Sequence, residues 1–405
     1  MLEISLNMYH AVALGAFLFW LGGVITSKIS LLNRYCIPAP LVGGLCFSIV
    51  NCILYSTGAA SITFDDTLQS VFMIMFFTTV GFTVSIPALL KGGKAVLLCL
   101  LVAVVMIPVQ NFLGGGVMAL FGKDPLLGIG CGSIALVGGP GTAAAYGPEL
   151  EAAGAVGGSV VSIAAATFGL VAGSLMGGPT ARSIIQRYNL TSTENDSEVM
   201  ELSDETAEEK ARAERVDTDS FTNAAILLIV ASGIGTLLTA LFNAIKIGPF
   251  TFTFPTYIGA MVIAAIIRNF CDSKRIILPS TAIDIWGSVS LSIFLAIALM
   301  TLKLWELASL AVPMVVMLLA QTVLMFFFAR FVVFNVMGRD YEAAVMTSAF
   351  CGFGMGATPN AMANMQAITQ KYGPAPTAYF VVPLVGSLFI DFMNTIIITS
   401  FLNLL

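Results

Sequence analysis

Residues 128–158 read GIGCGSIALVGGPGTAAAYGPELEAAGAVGG, and residues 347–376 read TSAFCGFGMGATPNAMANMQAITQKYGPAP. Each stretch is too rich in small residues and too interrupted for an ordinary membrane span, yet too apolar for an exposed loop. Non-helical backbone at membrane depth survives only where it is buried in protein or lines a watery cavity. Both stretches therefore read as re-entrant hairpins. Their tips are Gly138-Gly139-Pro140-Gly141-Thr142 and Gly352-Phe353-Gly354-Met355-Gly356-Ala357-Thr358-Pro359-Asn360.

The surrounding chain supplies the membrane. Of 405 residues 58% are hydrophobic and only 10% charged, with a mean hydropathy of +0.94. A soluble chain carries about 25% charged residues. Apolar runs of helical length, without the alternation of a transmembrane barrel, predict an all-α polytopic membrane protein. We place spans at 9–26, 38–56, 68–90, 95–121 and 159–177, then at 221–244, 252–267, 281–302, 307–336 and 376–402. Only Glu3 is charged ahead of the first run, so that run reads as a retained helix and not as a signal peptide.

Charge divides the chain at its middle. Residues 188–220 hold eleven acids against three bases, a net −8, while the remainder carries +3. This segment is a solvent-exposed linker, with a short helix expected over 203–216. It separates an N-terminal repeat, 1–187, from a C-terminal repeat, 221–405. Five spans per half invert the second half across the membrane. Fifteen of the eighteen Lys and Arg residues then fall on the linker side, which predicts a cytoplasmic linker and both termini outside. Pro38 and Pro255, Gln110 and Gln321, Gly122/Asp124 and Gly338/Asp340, Thr142 and Thr358, and Gly173-Ser174-Leu175 and Gly386-Ser387-Leu388 match at offsets of 217, 211, 216, 216 and 213. Secondary transporters commonly use such repeats, with sites near the midplane where discontinuous segments meet.

Several enzyme classes fall away. With one histidine, His10, a clustered-histidine metal site cannot form, and no phosphate-loop or nucleophile-elbow motif is present. The seven cysteines are scattered, mostly in apolar runs, and read as small buried hydrophobes. No cofactor is implied. At the hairpin tips, glycine lets backbone approach a ligand, proline breaks the helix, and the next half-helix offers free N–H groups to an anion. Gly138, Gly139, Gly141, Gly354, Gly356 and Ala357 supply backbone there, and Thr142, Thr358 and Asn360 add side-chain oxygens. The bland alternative is close helix packing by small residues. Asp391 is the most interior acid, with Asn394 on nearly the same face; an intramembrane carboxylate points to a cation or ammonium partner, against an interhelical hydrogen bond. Gln110, Gln321 and Ser133 either line a pathway or join helices.

At VGGPGT, TFGLVAGSLMGGPTAR, SLSIFLAIALMTLKLWEL, CGFGMGATPNAMANMQAIT and VVPLVGSLFIDFMN the sequence closely resembles the bacterial sodium/glutamate symporter family. The strings occur in order and cover both halves. The resemblance implies ten spans in inverted repeats, L-glutamate uptake coupled to sodium, and a homodimer in which a mobile domain slides against a scaffold in the bacterial inner membrane. Glutamate's two carboxylates would then need the donors of the hairpin tips, and sodium, a hard cation, would use oxygens of Asp391, Asn394 or Thr358; lipid, and no nucleic acid, is a further partner. One departure is Pro140, which stands where the family's first loop often has histidine. Two alternatives stay open: a symporter for another small carboxylate or driven by protons, and a channel.

Overall fold

The computed structural model describes residues 2–34, 37–87, 93–192, 216–244, 254–305 and 310–404. The acidic segment 193–215, with nearly all of the helix expected over 203–216, lies outside the described residues, as do Cys36, Lys91, Lys246 and Glu306.

In chain order the helices are α1 (Met8–Lys28), α2 (Ser30–Arg34), α3 (Ala39–Ser56), α4 (Thr67–Thr83), α5 (Gly93–Leu120), α6 (Pro125–Ile134), α7 (Gly139–Ala152), α8 (Gly158–Tyr188), α9 (Thr218–Ala244), α10 (Thr256–Lys274), α11 (Ser280–Met300), α12 (Ala311–Val336), α13 (Tyr341–Phe353), α14 (Thr358–Tyr372), α15 (Pro376–Pro383) and α16 (Ile390–Leu404). Seven of them, α1, α3, α5, α8, α9, α11 and α12, are long and apolar enough to cross a hydrocarbon core. This is a multi-pass helical membrane protein. The other three predicted spans are also helical: α4 is short, α10 carries Arg268, Asp272 and Lys274, and α15 with α16 forms a pair bent by 40°.

Tertiary contacts move several boundaries. The expected third span stops at Thr83 because Asn269 of α10 takes over the next backbone groups, donating to the Val84 carbonyl at 2.8 Å and accepting from the Ile86 N–H at 2.8 Å. The fifth runs on to Tyr188, through Pro179, and ends at Asn189 in the left-handed region. The last is not one continuous helix, since a π-helical stretch, Leu384–Phe389, interrupts it. A small element was not anticipated at all. β1 (Leu2–Leu6) pairs in parallel with β2 (Ala60–Phe64), Leu2 opposite Ala60 and Leu6 opposite Phe64. Its segments, LEISL and ASITF, alternate apolar and polar residues, the period of a strand.

Packing sorts the helices, the five-residue α2 aside, into two sets. The first set is α1, α3, α4, α9, α10 and α11; the second is α5 to α8 and α12 to α16. The same portions of each half go to the same set: three helices to the first, and the remaining helices with the hairpin to the second. Contacts between sets are few; the most extensive run from α7 to α11, and from α4 to α16 and the π stretch ahead of it.

Candidate functional site

The two hairpins begin alike. In each, a glycine with positive φ (Gly122 at +66°, Gly338 at +125°) turns the chain. An aspartate then caps the first arm: Asp124 accepts from the Leu126 N–H at 2.9 Å and Asp340 from the Ala343 N–H at 2.7 Å. The first arm of hairpin one passes into a π-helical stretch, Gly130–Ile134, where Gly132 leaves helical geometry at ψ −127°. Its second arm, α7, starts at Gly139 with Pro140 in the first turn; that of hairpin two, α14, starts at Thr358 followed by Pro359. Neither start has a side-chain cap. Both helix N-termini thus present backbone donors and positive dipole ends at the tips.

The tips abut. A Cβ built on Gly139, whose φ is +67°, would lie 3.1 Å from the Gly356 carbonyl oxygen. Gln110 of α5 donates to the Gly354 carbonyl at 2.8 Å, and Gln321 of α12 donates to the Gln110 carbonyl at 2.7 Å. Both glutamines are fully buried, so in this arrangement they join helices. Thr142 packs its side chain over Gly138, and Gly141 faces Leu291 and Phe76 of the first set.

Around the break in hairpin one, Asn111 accepts from the Ser133 N–H at 2.9 Å and Asn394 donates to the Ser133 carbonyl at 3.0 Å. Ser133 Oγ, Asn394 Oδ1 and Asn111 Nδ2 are buried and have no partner among the described residues. Hairpin two has a counterpart. Asn360 donates to the Leu170 carbonyl at 2.7 Å and to Ser174 Oγ at 2.8 Å, leaving Asn360 Oδ1 unclaimed. A buried polar atom without a partner costs about 1–3 kcal/mol, so unclaimed hard oxygens beside a helix break suit a dehydrated cation. Thr358 donates to the Gly386 carbonyl at 2.8 Å inside the last π stretch. Asp391 lies two residues beyond that stretch, half-buried, with no hydrogen bond or ion pair among the described residues. Asn394, one turn on, is buried at the other hairpin. The structure therefore splits the predicted cation residues between two places, Thr358 at hairpin two and Asn394 at hairpin one.

Asn111, Tyr146 and Asn364 were missed by sequence reasoning. Asn111 carried a usable signal, an amide next to Gln110 inside an apolar run. Tyr146 and Asn364 looked like ordinary hairpin residues. A crevice of about 360 Å³ opens at the strand-bearing end of the bundle, between Asp66, Gln69, Thr301 and Lys303 of one set and Glu151 and Ser159 of the other. Ala144 and Pro148 line it too, so it reaches along α7 to within two residues of Thr142.

Such a molecule is a polytopic membrane protein with two broken-helix hairpins meeting inside the bundle. The sodium/glutamate symporter family model matches residues 4–374. Proteins named sodium/glutamate symporter from Escherichia coli K12 and Shigella flexneri are each 39% identical over 390 residues, covering 95% of this chain and 94% of theirs. One from Haemophilus influenzae is 36% identical over 395 residues, covering 97% of this chain and 96% of its own. The chain belongs to the sodium/glutamate symporter family.

Proposed function

We propose that this chain takes up L-glutamate with sodium across the bacterial cell membrane by alternating access, its ten spans forming two inverted five-helix repeats with two re-entrant hairpins. The observation that carries the reading is the meeting of two uncapped helix N-termini at abutting tips, flanked by unclaimed buried oxygens. Glutamate brings two carboxylates and one ammonium. Backbone donors at Gly139, Gly141 and Thr358 with the Thr142 hydroxyl suit the carboxylates, and Asp391 suits the ammonium or a sodium ion. Asn394 Oδ1 and Ser133 Oγ suit sodium at hairpin one; Asn360 Oδ1 suits it at hairpin two. The identical sorting of both halves into two sets supports the inverted repeat and a mechanism in which the hairpin-bearing set slides as an elevator against the other. Linker placement on the cytoplasmic side rests on the basic residues, and the homodimer on the family resemblance.

The test is uptake of labelled L-glutamate into liposomes holding the purified protein, under an inward sodium gradient, an inward proton gradient, or neither. Accumulation only with sodium is expected. Accumulation with the proton gradient alone, or none in competent vesicles, overturns the assignment. Pro140 favours one second reading, a different small carboxylate, because it puts an N–H-free ring in the first turn of α7 where the family often has a histidine.

A further inference from the structure

Where the two sets meet beside hairpin one, four aromatic rings form a chain. Phe76 and Phe77 of α4 lie edge to face at 5.0 Å, Phe77 stacks on Tyr257 of α10 at 4.2 Å and 18°, and Tyr257 meets Tyr146 of α7 at 5.7 Å and 86°. The last contact joins the two sets; every other ring pair among the described residues stays within one. Each tyrosine is anchored on its own side. Tyr146 belongs to the second set through its hydroxyl, which lies 3.0 Å from the Thr395 carbonyl and 3.0 Å from Thr399 Oγ1 on α16. Tyr257 belongs to the first: Thr239 of α9 receives the Gly259 N–H at 2.9 Å and donates to the Thr256 carbonyl at 3.1 Å, pinning the first turn of α10 around it.

The two phenols differ in one respect. Both are fully buried, but among the described residues the Tyr257 hydroxyl makes no well-formed hydrogen bond, only a weak approach to the Tyr146 hydroxyl. Its ring makes the stack, which phenylalanine would make equally well, so the oxygen is a cost that this arrangement offsets only weakly. An atom left poorly paired in one arrangement of two sliding bodies is accounted for if it is well paired in the other. We infer that Tyr257 is a positioning residue of the transport cycle, its hydroxyl satisfied only when hairpin one has moved relative to α10, so that it biases the equilibrium away from the arrangement seen here. Tyr146 lies one helical turn from Thr142, so any bias on its position is felt at the tip. The inference rests on the two-set reading of transport.

The experiment compares Tyr257→Phe with the parent in proteoliposomes, following sodium-driven uptake and the maleimide-labelling rate of Ser159→Cys in the crevice between the sets, with the labelled cysteine located by mass spectrometry. Removing the hydroxyl relieves the present arrangement alone. The expected result is a change of about fivefold or more in labelling rate, with a slower maximal uptake rate and a melting temperature equal to or above the parent's. A merely ill-satisfied hydroxyl raises the melting temperature but moves neither rate, and that result overturns the inference. Cross-linking Thr63→Cys to Ser159→Cys tests the underlying reading separately. Full uptake after cross-linking overturns both the two-set mechanism and the inference; blocked uptake with parental labelling in Tyr257→Phe overturns the inference alone.

Discussion

The two hairpins are built alike but held in place by opposite means. Hairpin two carries its own amides: Asn360 reaches Leu170 and Ser174, and Asn364 donates to the Gly173 carbonyl at 3.0 Å. It is seated on the glycines of α8, where a Cβ on Gly169 would fall on the Met355 carbonyl oxygen and one on Gly177 would fall on the Asn364 amide. The positions of hairpin one that match these asparagines hold Ala144 and Pro148. Side chains from elsewhere hold it, Asn111 from α5 and Asn394 from α16, with Tyr146 its own main anchor. The difference follows from what each faces. Hairpin two packs chiefly inside the second set, where keyed amides add order, whereas hairpin one lies on the boundary with the first set, against Phe76, Leu291 and Tyr257. On the proposed sliding mechanism, a boundary surface is better smooth, and glycine and alanine make it so.

That contrast yields a graded set of expectations. Asp391→Asn removes the charge common to either use of the last helix, and sodium-driven uptake should fall more than about tenfold with the protein still in the membrane. Unchanged rate and sodium dependence would remove Asp391 from the site. Next come the two seats. Gly169→Ala forces a methyl onto the Met355 carbonyl and should cost about 1–3 kcal/mol, read as a lower melting temperature in detergent. Gly141→Ala meets only the ends of Leu291 and Phe76, at 3.0 and 3.4 Å, so it should spare the melting temperature and slow uptake. Equal loss of stability in both would erase the distinction between keyed and sliding hairpins.

The amides sharpen it further. Asn360→Ala deletes two hydrogen bonds between helices, worth about 0.6–2 kcal/mol each in a membrane interior, and should lower stability more than uptake per folded molecule. Asn394→Ala loses one such bond and an unclaimed oxygen, and should raise the sodium concentration for half-maximal uptake several-fold. A sodium titration of both variants checks this, and the reverse ranking would make hairpin two the dominant sodium site. The smallest effect is expected of Pro140→His, which adds a donor at the tip: the KM for glutamate should change a few-fold while maximal rate and stability hold.

Much of this was legible beforehand because lipid is a demanding solvent. Backbone must satisfy itself there, so the breaks at Gly138–Thr142 and Gly352–Asn360 stood out against unbroken apolar runs. Asp124 and Asp340 were visible as matched positions, and the structure gives them a common use as caps. Partnership was not legible. Gln110 reaches across 244 residues to Gly354, and Asn394 across 261 to Ser133, and no local pattern encodes either. The pairing of Leu2–Leu6 with Ala60–Phe64 escaped notice because five alternating residues at a helix end are a weak signal beside the spans.

By itself, then, the sequence determined the solvent, the presence of the long helices and the family, since each depends on residues close together in the chain. The tertiary structure alone decided which carbonyl each buried amide claims, which oxygens are left over, and which hairpin faces the boundary between the two sets. Those outcomes depend on distances between helices far apart in sequence, and packing, not periodicity, fixes them.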